Sequence, residues 1–240
     1  MTGRFGCVAV VPARAGSKRV PGKNVRTFGG QPLVVWSINA ALASTAIDRV
    51  VVSTDDDRVA SAVSGRPVDV FDRPGELATD VASTDDVLRE VDARLGGATS
   101  GPELIVLLQA TSPLRAAGRI AEGVARMRRH PEAARLVEVT SQSLFSGTVK
   151  DGWWCPAFPE ETRSQDLPQV WYPTGGLYIY RPEHWFDHPA DREARSLALE
   201  LPVERCVNID HEYDFVWADV VYQRFKQDYS YLAPPSYCPA

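Results

Sequence analysis

Short apolar runs alternate with longer segments in which apolar residues recur at helical spacing. The apolar runs predict strands at residues 5–11, 49–53, 68–71, 104–108 and 136–139. The longer segments predict helices at residues 33–43, 56–63, 83–95 and 117–129. Strands that alternate with helices in this way indicate an α/β fold, with a doubly wound, mostly parallel Rossmann-like sheet covered by helices on both faces. The continuous apolar run at 104–108 is typical of a buried parallel strand.

This alternation stops between about residues 140 and 180. The stretch is rich in aromatic residues, namely Phe145, Trp153, Trp154, Phe158 and Trp171, and has a turn signal at 150–152. We interpret the chain as one domain, residues 1–240, with an insertion at about 140–180 that leaves the core sheet. Aromatic enrichment suits a dimer interface or a substrate lid, and it suits a small satellite core equally well.

The pattern closes with a strand predicted at 203–207 and a helix predicted at 212–227. The tail with Pro234 and Pro235 is expected to be loosely held.

Composition and charge exclude several classes of protein. The chain has 240 residues, of which 44% are hydrophobic, and its net charge is −5, so it lacks the broad basic field of a nucleic-acid-binding protein. No apolar run is long enough to span a membrane, and Met1–Val11 resembles a first strand more than a secretory signal. We therefore expect a cytoplasmic protein with neither a nucleic-acid nor a membrane partner.

The four cysteines support the same compartment. Cys7, Cys155, Cys206 and Cys238 form no CxxC pair and no Cys/His metal spacing. The expectation is buried, reduced thiols, as in cytosolic proteins.

Basic residues are concentrated in the loop after the first predicted strand. Residues 14–23 contain four cations, interleaved with Gly16 and Gly22. Ligands of doubly wound sheets bind at the carboxyl ends of the strands, where glycine backbone and cationic side chains together can hold an anion. A triphosphate is the guest that this loop predicts, although the loop is neither GxxxxGK[ST] nor GxGxxG.

The segment RAGSK at 14–18, continued by KN at 23–24, resembles the signature of the acylneuraminate cytidylyltransferases, the CMP-sialic acid synthetases. The resemblance runs in order over nearly the whole chain. Its further motifs are STD at 53–55, RPGELATDVAST at 73–84, LLQATSPLR at 107–115, RSQDLPQ at 163–169 and NIDHEYD at 208–214.

That resemblance implies a Mg²⁺-dependent enzyme that couples CTP to a sialic-acid-like, nonulosonic sugar acid and releases pyrophosphate. The implied nucleotide-binding residues are Arg14, Gly16, Ser17, Lys18, Asn24, Arg73, Ala82, Ser83 and Thr84. The implied catalytic residues are Arg14, Lys23 and Gln109. The implied substrate-binding residues are Gln109, Thr111, Ser112, Arg163, Gln165 and Tyr178, and the implied metal ligands are Asp210 and Asn208.

The resemblance also implies individual roles. Lys23 is expected near the α-phosphate, and Arg14 and Lys18 are expected to hold the β- and γ-phosphates. Arg73 is expected to approach the cytosine, with Ala82 acting through its backbone. An arginine matches a carboxylate bidentately, and Arg163 lies in the motif expected near the sugar acid, so it is the candidate for the acceptor's carboxylate.

The chain departs from the family pattern at positions that bear on the acceptor and the metal. Tyr172 and Thr174 stand where sialate synthetases typically have arginine and asparagine, and Asn208 replaces the first aspartate of the metal motif. An amide oxygen can ligate Mg²⁺ but adds no charge, so metal binding is expected to be weaker. Asp210 has an alternative role as the N-cap of the following helix.

Several alternatives remain open. Thr111 and Ser112 could merely cap the turn after the strand. The acceptor could be Kdo or a phosphonate, and Asn208 is compatible with a catalytically impaired nucleotide-binding homologue. The family's members are usually homodimers in which the inserted region reaches the partner's site, and no histidine is an obvious general base.

Overall fold

The structure, a computed structural model, describes residues 5–186 and 195–229. The predictions for the tail with Pro234 and Pro235, and for Cys238, lie outside the described residues. Among the residues that are described, no helix is long and apolar enough to cross a membrane.

The strands and helices follow each other along the chain. The strands are β1 (Phe5–Pro12), β2 (Thr27–Phe28), β3 (Gln31–Pro32), β4 (Arg49–Thr54), β5 (Asp69–Asp72), β6 (Pro102–Leu107), β7 (Arg135–Ser143), β8 (Gly147–Lys150), β9 (Trp153–Pro156), β10 (Gln169–Tyr180) and β11 (Ser196–Glu200). The helices are α1 (Leu33–Leu42), α2 (Asp57–Val63), α3 (Thr84–Arg94), α4 (Gly97–Ser100), α5 (Ala117–Arg129), α6 (Pro182–Trp185), α7 (Asp214–Arg224) and α8 (Lys226–Tyr229).

A seven-stranded sheet in the order β11-β7-β10-β6-β1-β4-β5 forms the centre of the domain. Neighbouring strands are parallel except at β10, which is antiparallel to both β6 and β7. The predicted α/β fold with a mostly parallel sheet is therefore confirmed.

The sheet is covered on both faces because alternate residues of each buried strand point to opposite sides. In β1, Cys7, Ala9 and Val11 pack with α1, α2, α5 and α7, whereas Val8 and Val10 pack with α3 and α6. With apolar side chains on both sides, β1 reads as one continuous apolar run in the sequence.

The C-terminal part differs from the prediction. Residues 203–207 are not a strand; Val203–Arg205 forms a single 3-10 turn, and the edge strand is β11, which pairs in parallel with β7. Pro202 precedes this turn and has no N–H to donate to a ladder. The helix predicted at 212–227 is interrupted at Phe225, which separates α7 from α8.

The stretch at 140–180 lies only partly outside the central sheet. The end of β10 inserts between β6 and β7, so residues 144–168 are the part that leaves it. The predicted turn at 150–152 is confirmed, with left-handed backbone at Asp151 and Gly152 between β8 and β9.

The cysteines within the described residues are free, but not all are buried. Cys7 lies in the core, and burial raises the pKa of its thiol to about 12. Cys155 is exposed on β9, so the expectation of a buried thiol is wrong there. All four residues of β9 are exposed, so its side chains are not part of a packed core in the described part of the chain.

Candidate functional site

A cleft of about 430 Å³ opens at the carboxyl ends of β1 and β6, where a ligand of a doubly wound sheet is expected. Its walls come from the basic loop, from the segment after β5, from the turn after β6 and from the segment before α7. It brings together twelve of the predicted site residues, namely Arg14, Ser17, Lys18, Lys23, Asn24, Arg73, Ala82, Ser83, Thr84, Gln109, Thr111 and Asp210.

The basic loop is held in place by side chains far away in the sequence. Thr54 Oγ1 donates to Ala13 O at 2.6 Å, and Asp55 Oδ1 accepts from Ala15 N at 2.9 Å. Asn24 Nδ2 donates to Arg14 O at 2.9 Å and closes the loop from its other end. The Ser-Thr-Asp turn and Asn24 therefore shape the loop, besides any direct contact that Asn24 makes with a ligand.

Lys23 is the most buried cation of the loop, with 8% of its surface exposed. It follows Gly22, whose φ of 66° lies in the left-handed region that favours glycine. Its Nζ donates to Ile209 O at 2.7 Å and lies 3.2 Å from Asp210 Oδ1. Three hydrogen bonds are the limit for an ammonium group, so these contacts fix Nζ and leave one donor for a ligand.

Arg14 and Lys18 share a carboxylate that the sequence analysis did not single out. Asp80 Oδ1 lies 2.8 Å from Arg14 Nη2, and Asp80 Oδ2 lies 2.5 Å from Lys18 Nζ. The hydrogen bonds from Lys18 and then from Arg14 hold the pKa of Asp80 below its usual value. The available signal was an acidic residue within the segment 73–84, which the resemblance implies reads the cytosine.

The opposite wall combines a buried arginine with the start of α3. Arg73 is 6% exposed and donates through Nη2 to Ser53 O at 2.8 Å, and burial lowers the pKa of its guanidinium. Ser83 Oγ accepts from Asp86 N, and Asp86 Oδ2 accepts from Ser83 N, which forms a capping box at the start of α3. Ala82 N donates to Thr79 Oγ1 at 3.2 Å.

A glycine keeps the space beside Gln109 open. Gly175 has a φ of 77°, and a Cβ atom there would lie 3.3 Å from Gln109 Oε1, 3.4 Å from Ser112 Oγ and 3.6 Å from Asn208 Oδ1. Polar atoms from two other segments, the turn after β6 and the segment before α7, therefore surround a position that only a glycine leaves vacant.

Two predicted residues lie beside the cleft. Gly16 lines an adjoining hollow next to Arg14 and Lys18. Ser112 lines a second cavity of about 300 Å³ with Glu138 and Thr174. Ser112 Oγ is buried and has no hydrogen-bond partner among the described residues, so it does not cap the turn.

Three predicted substrate residues lie away from the cleft in the single chain. Tyr178 packs against the apolar cluster beneath α3 and α6, with its ring stacked 6.4 Å from that of Tyr180. Arg163 and Gln165 are exposed, and Arg163 Nε donates to Asp166 Oδ2 at 2.7 Å. These three residues do not line the cleft. The structure of the single chain therefore does not support their predicted roles in substrate binding.

The predicted metal position contains one carboxylate and one amide. Asn208 Nδ2 donates to Asp210 Oδ2 at 2.8 Å. Asp214 Oδ2 accepts from the backbone N–H of Asp210 and of His211, both at 2.7 Å, and α7 begins only at Asp214, so Asp210 is not the N-cap. Within residues 5–186 and 195–229 no group of three or more His, Cys, Asp or Glu side chains could hold a metal.

The two departures in β10 have different surroundings. Thr174 is 4% exposed; its Oγ1 donates to Glu138 Oε2 at 2.8 Å and accepts from Gly176 N at 3.0 Å. Thr174 thus supplies a hydrogen-bond donor to the buried Glu138 carboxylate and does not line the cleft. Tyr172 is partly buried, and this burial raises the pKa of its phenol.

A cluster of cations that faces Arg73 and the start of α3, at the carboxyl edge of this sheet, is the arrangement expected of a nucleotide-binding α/β protein. The fold is shared with a solved CMP:2-keto-3-deoxy-manno-octonic acid synthetase complexed with CTP. The TM-score is 0.65 at 19% sequence identity, over 93% of this chain and 100% of that one.

The sequence profile described as cytidylyltransferase matches residues 8–148. The chain belongs to this family, and the family that its motifs predicted is confirmed.

Curated relatives agree with the family. An N-acylneuraminate cytidylyltransferase of Streptococcus agalactiae is 30% identical over 216 residues, which cover 87% of this chain and 51% of the relative. The chain therefore spans about half the length of that relative. A pseudaminic acid cytidylyltransferase of Campylobacter jejuni is 28% identical over 224 residues, which cover 90% of this chain and 96% of the relative.

Proposed function

We propose that this protein transfers CMP from CTP to a nonulosonic sugar acid and releases pyrophosphate. The observation that carries the proposal is the cleft itself, in which the cations of the basic loop face the segment that starts at Arg73. The relatives named for N-acylneuraminate and pseudaminic acid support this class of acceptor.

In the proposed reaction, the acceptor's anomeric hydroxyl attacks the α-phosphorus of CTP. A bond forms between the hydroxyl oxygen and this phosphorus, and the bond to the β-phosphate oxygen breaks, so pyrophosphate leaves with the electron pair. Such transfer needs positioning and charge neutralisation more than covalent chemistry. Lys23, held by Ile209 O and Asp210, is positioned to stabilise charge that develops near the α-phosphate.

Arg14 and Lys18 would hold the β- and γ-phosphates and the leaving pyrophosphate. Arg19, which the sequence analysis left without a role, lines the same cleft and lies 3.9 Å from Asp210 Oδ2. Gln109 would orient the acceptor's hydroxyl, because Gly175 leaves space beside its side chain. No histidine lines the cleft within the described part of the chain, and the proton of the attacking hydroxyl would pass to a water molecule in the cleft.

Mg²⁺ fits this site as an ion that arrives with the nucleotide. Mg²⁺ is commonly bound by one or two carboxylates together with substrate phosphates, and the site offers the Asp210 carboxylate and the Asn208 amide. We assign Asp210 as the direct ligand and Asn208 as a weaker one. When bound, the ion would neutralise charge on the phosphates.

We also propose that the protein acts as a homodimer through the segment 144–171. Large apolar side chains are exposed there, including Trp153 at 77% and Trp154 at 54%. Exposed patches of this kind mark interaction surfaces. A partner's copy of this segment would supply Arg163 and Gln165, which lie away from the cleft of their own chain.

The experiment is a panel of acceptors with each of the four nucleoside triphosphates, read by pyrophosphate release. We expect release with CTP and an N-acylneuraminate, pseudaminate or legionaminate, and none with ATP, GTP or UTP. Release of pyrophosphate only with Kdo or a phosphonate would show that the protein is a cytidylyltransferase for a different acceptor. CTP binding without release from any acceptor would favour a catalytically impaired homologue, for which Asn208 is the motivating feature.

A further inference from the structure

The ion pairs of Asp80 place a protein carboxylate where the proposed function puts phosphate. One carboxylate oxygen contacts each cation, Oδ1 with Arg14 and Oδ2 with Lys18. A phosphoryl group also presents separate oxygens to two cations, so the carboxylate occupies the same donors that a polyphosphate would need.

The ion pairs of Asp80 with Arg14 and Lys18 are exposed enough to be exchanged for other anions. The Asp80 side chain is 42% exposed and the Lys18 side chain is 79% exposed. Ion pairs that are this exposed contribute little to stability. A di- or triphosphate carries more negative charge than one carboxylate, so it would displace Asp80 from the cations.

Asp80 lies in the same short segment as the groups expected to meet the base. Thr79 Oγ1 accepts from Ala82 N at 3.2 Å and is within 3.4 Å of Glu76 O. Ser83 then starts α3 through its capping box. These local hydrogen bonds fix the turn from Glu76 to Ala82 that contains Asp80, so Asp80 belongs to the same wall of the cleft as Ala82 and Ser83.

We infer that Asp80 is a specificity-determining residue that competes with the β- and γ-phosphates for Arg14 and Lys18, and that it assists the release of pyrophosphate. A ligand with a single phosphate at the α-position would leave this contact in place, whereas CTP and pyrophosphate must replace it. After transfer, the returning carboxylate recaptures both cations as the pyrophosphate leaves. This inference rests on the proposed function.

The test compares the full-length protein with its Asp80→Asn variant by titration calorimetry with pyrophosphate, CTP and CMP. Each titration is run with Mg²⁺ and again with EDTA. We expect Asp80→Asn to bind pyrophosphate and CTP about three- to tenfold more tightly in both conditions, with CMP unchanged. Asp80→Ala, which cannot donate a new hydrogen bond to the loop, should behave in the same way.

Glu76→Gln is the matched control. Glu76 is exposed in the same segment and does not line the cleft, so its variant loses the same charge without touching Arg14 or Lys18. Tighter binding of pyrophosphate by both variants would show a general charge effect and overturn the inference.

In turnover, Asp80→Asn should show a lower KM for CTP and stronger inhibition by pyrophosphate. A variant that merely failed to fold would show neither change. Weaker or unchanged binding of pyrophosphate by Asp80→Asn would overturn the role of Asp80 and leave the proposed function standing. Weaker binding of CTP in Mg²⁺ alone would make Asp80 a metal ligand and overturn the inference. Failure of the unaltered protein to bind CTP or pyrophosphate would overturn the proposed function itself.

Discussion

Replacing Lys23 by alanine removes a cation that the fold holds with little freedom. Lys23 is 8% exposed, and its Nζ lies 2.7 Å from Ile209 O and 3.2 Å from Asp210 Oδ1. Loss of a preorganised donor that stabilises developing charge typically lowers kcat by about 10²- to 10³-fold. One charge-assisted hydrogen bond contributes about 1.5–3 kcal/mol. Because two of the Lys23 donors are already engaged with Ile209 O and Asp210, CTP should still bind within about tenfold of its normal affinity.

The assay measures pyrophosphate release at saturating CTP and acceptor, together with CTP binding by calorimetry. Removing the ammonium group leaves Ile209 O without this donor, at a cost of about 1–3 kcal/mol in the free energy of unfolding, so thermal unfolding of the variant is recorded as well. If Lys23→Ala fails to fold, Lys23→Met keeps most of the side chain's length and removes the charge.

Lys18→Ala is the control, because the Lys18 side chain is 79% exposed and pairs with Asp80 instead of Asp210. We expect it to raise the KM for CTP with a small change in kcat. Wild-type-like release of pyrophosphate by Lys23→Ala would refute the assignment of Lys23 to the α-phosphate.

Three further predictions follow from the geometry. Asn208→Asp places a second carboxylate beside Asp210, where Asn208 Nδ2 now lies 2.8 Å from Oδ2, so half-maximal pyrophosphate release should need several-fold less Mg²⁺; an unchanged Mg²⁺ dependence would place residue 208 outside the metal shell. Gly175→Ala forces an alanine into a φ of 77° and sets its Cβ 3.3 Å from Gln109 Oε1. It should destabilise the protein by about 1–2 kcal/mol and lower kcat/KM for the acceptor. Gly65→Ala, with a φ of 78° and nothing within 4 Å of its Cβ, should show the loss of stability alone, and an equal loss of activity in both variants would contradict the role of Gly175. Trp153→Asp together with Trp154→Asp should convert the proposed dimer to a monomer in light scattering, and a dimer that persists would locate the interface elsewhere.

Helices with a clear apolar stripe were predictable from the sequence. The bounds of α5 agree with the prediction because Ile120, Val124 and Met127 recur at helical spacing and all pack on the sheet. This periodicity is a property of residues that are close together in the chain.

The pairing of strands was less predictable. Residues 196–200 and 203–207 both contain enough apolar residues for a strand, and only the first pairs with β7. The choice depends on which segment reaches the open edge of the sheet. That edge exists because β10 returns antiparallel between β6 and β7, which no local pattern around residue 200 reveals.

The residues of the basic loop, and their location after the first strand, were determined by the sequence. The continuous apolar run predicted β1 and its carboxyl end, and the motif after it contains Arg14, Lys18 and Lys23, which all line the cleft. The sequence likewise established the family.

Only the tertiary structure decided the partners of the polar side chains. It paired Arg14 and Lys18 with Asp80, tied Lys23 to Ile209, and buried Thr174 against Glu138. These pairs join segments up to 186 residues apart. A polar group's partner depends on which loops the order of the strands brings to the same edge, whereas a helix or strand depends mainly on its own neighbours in the chain.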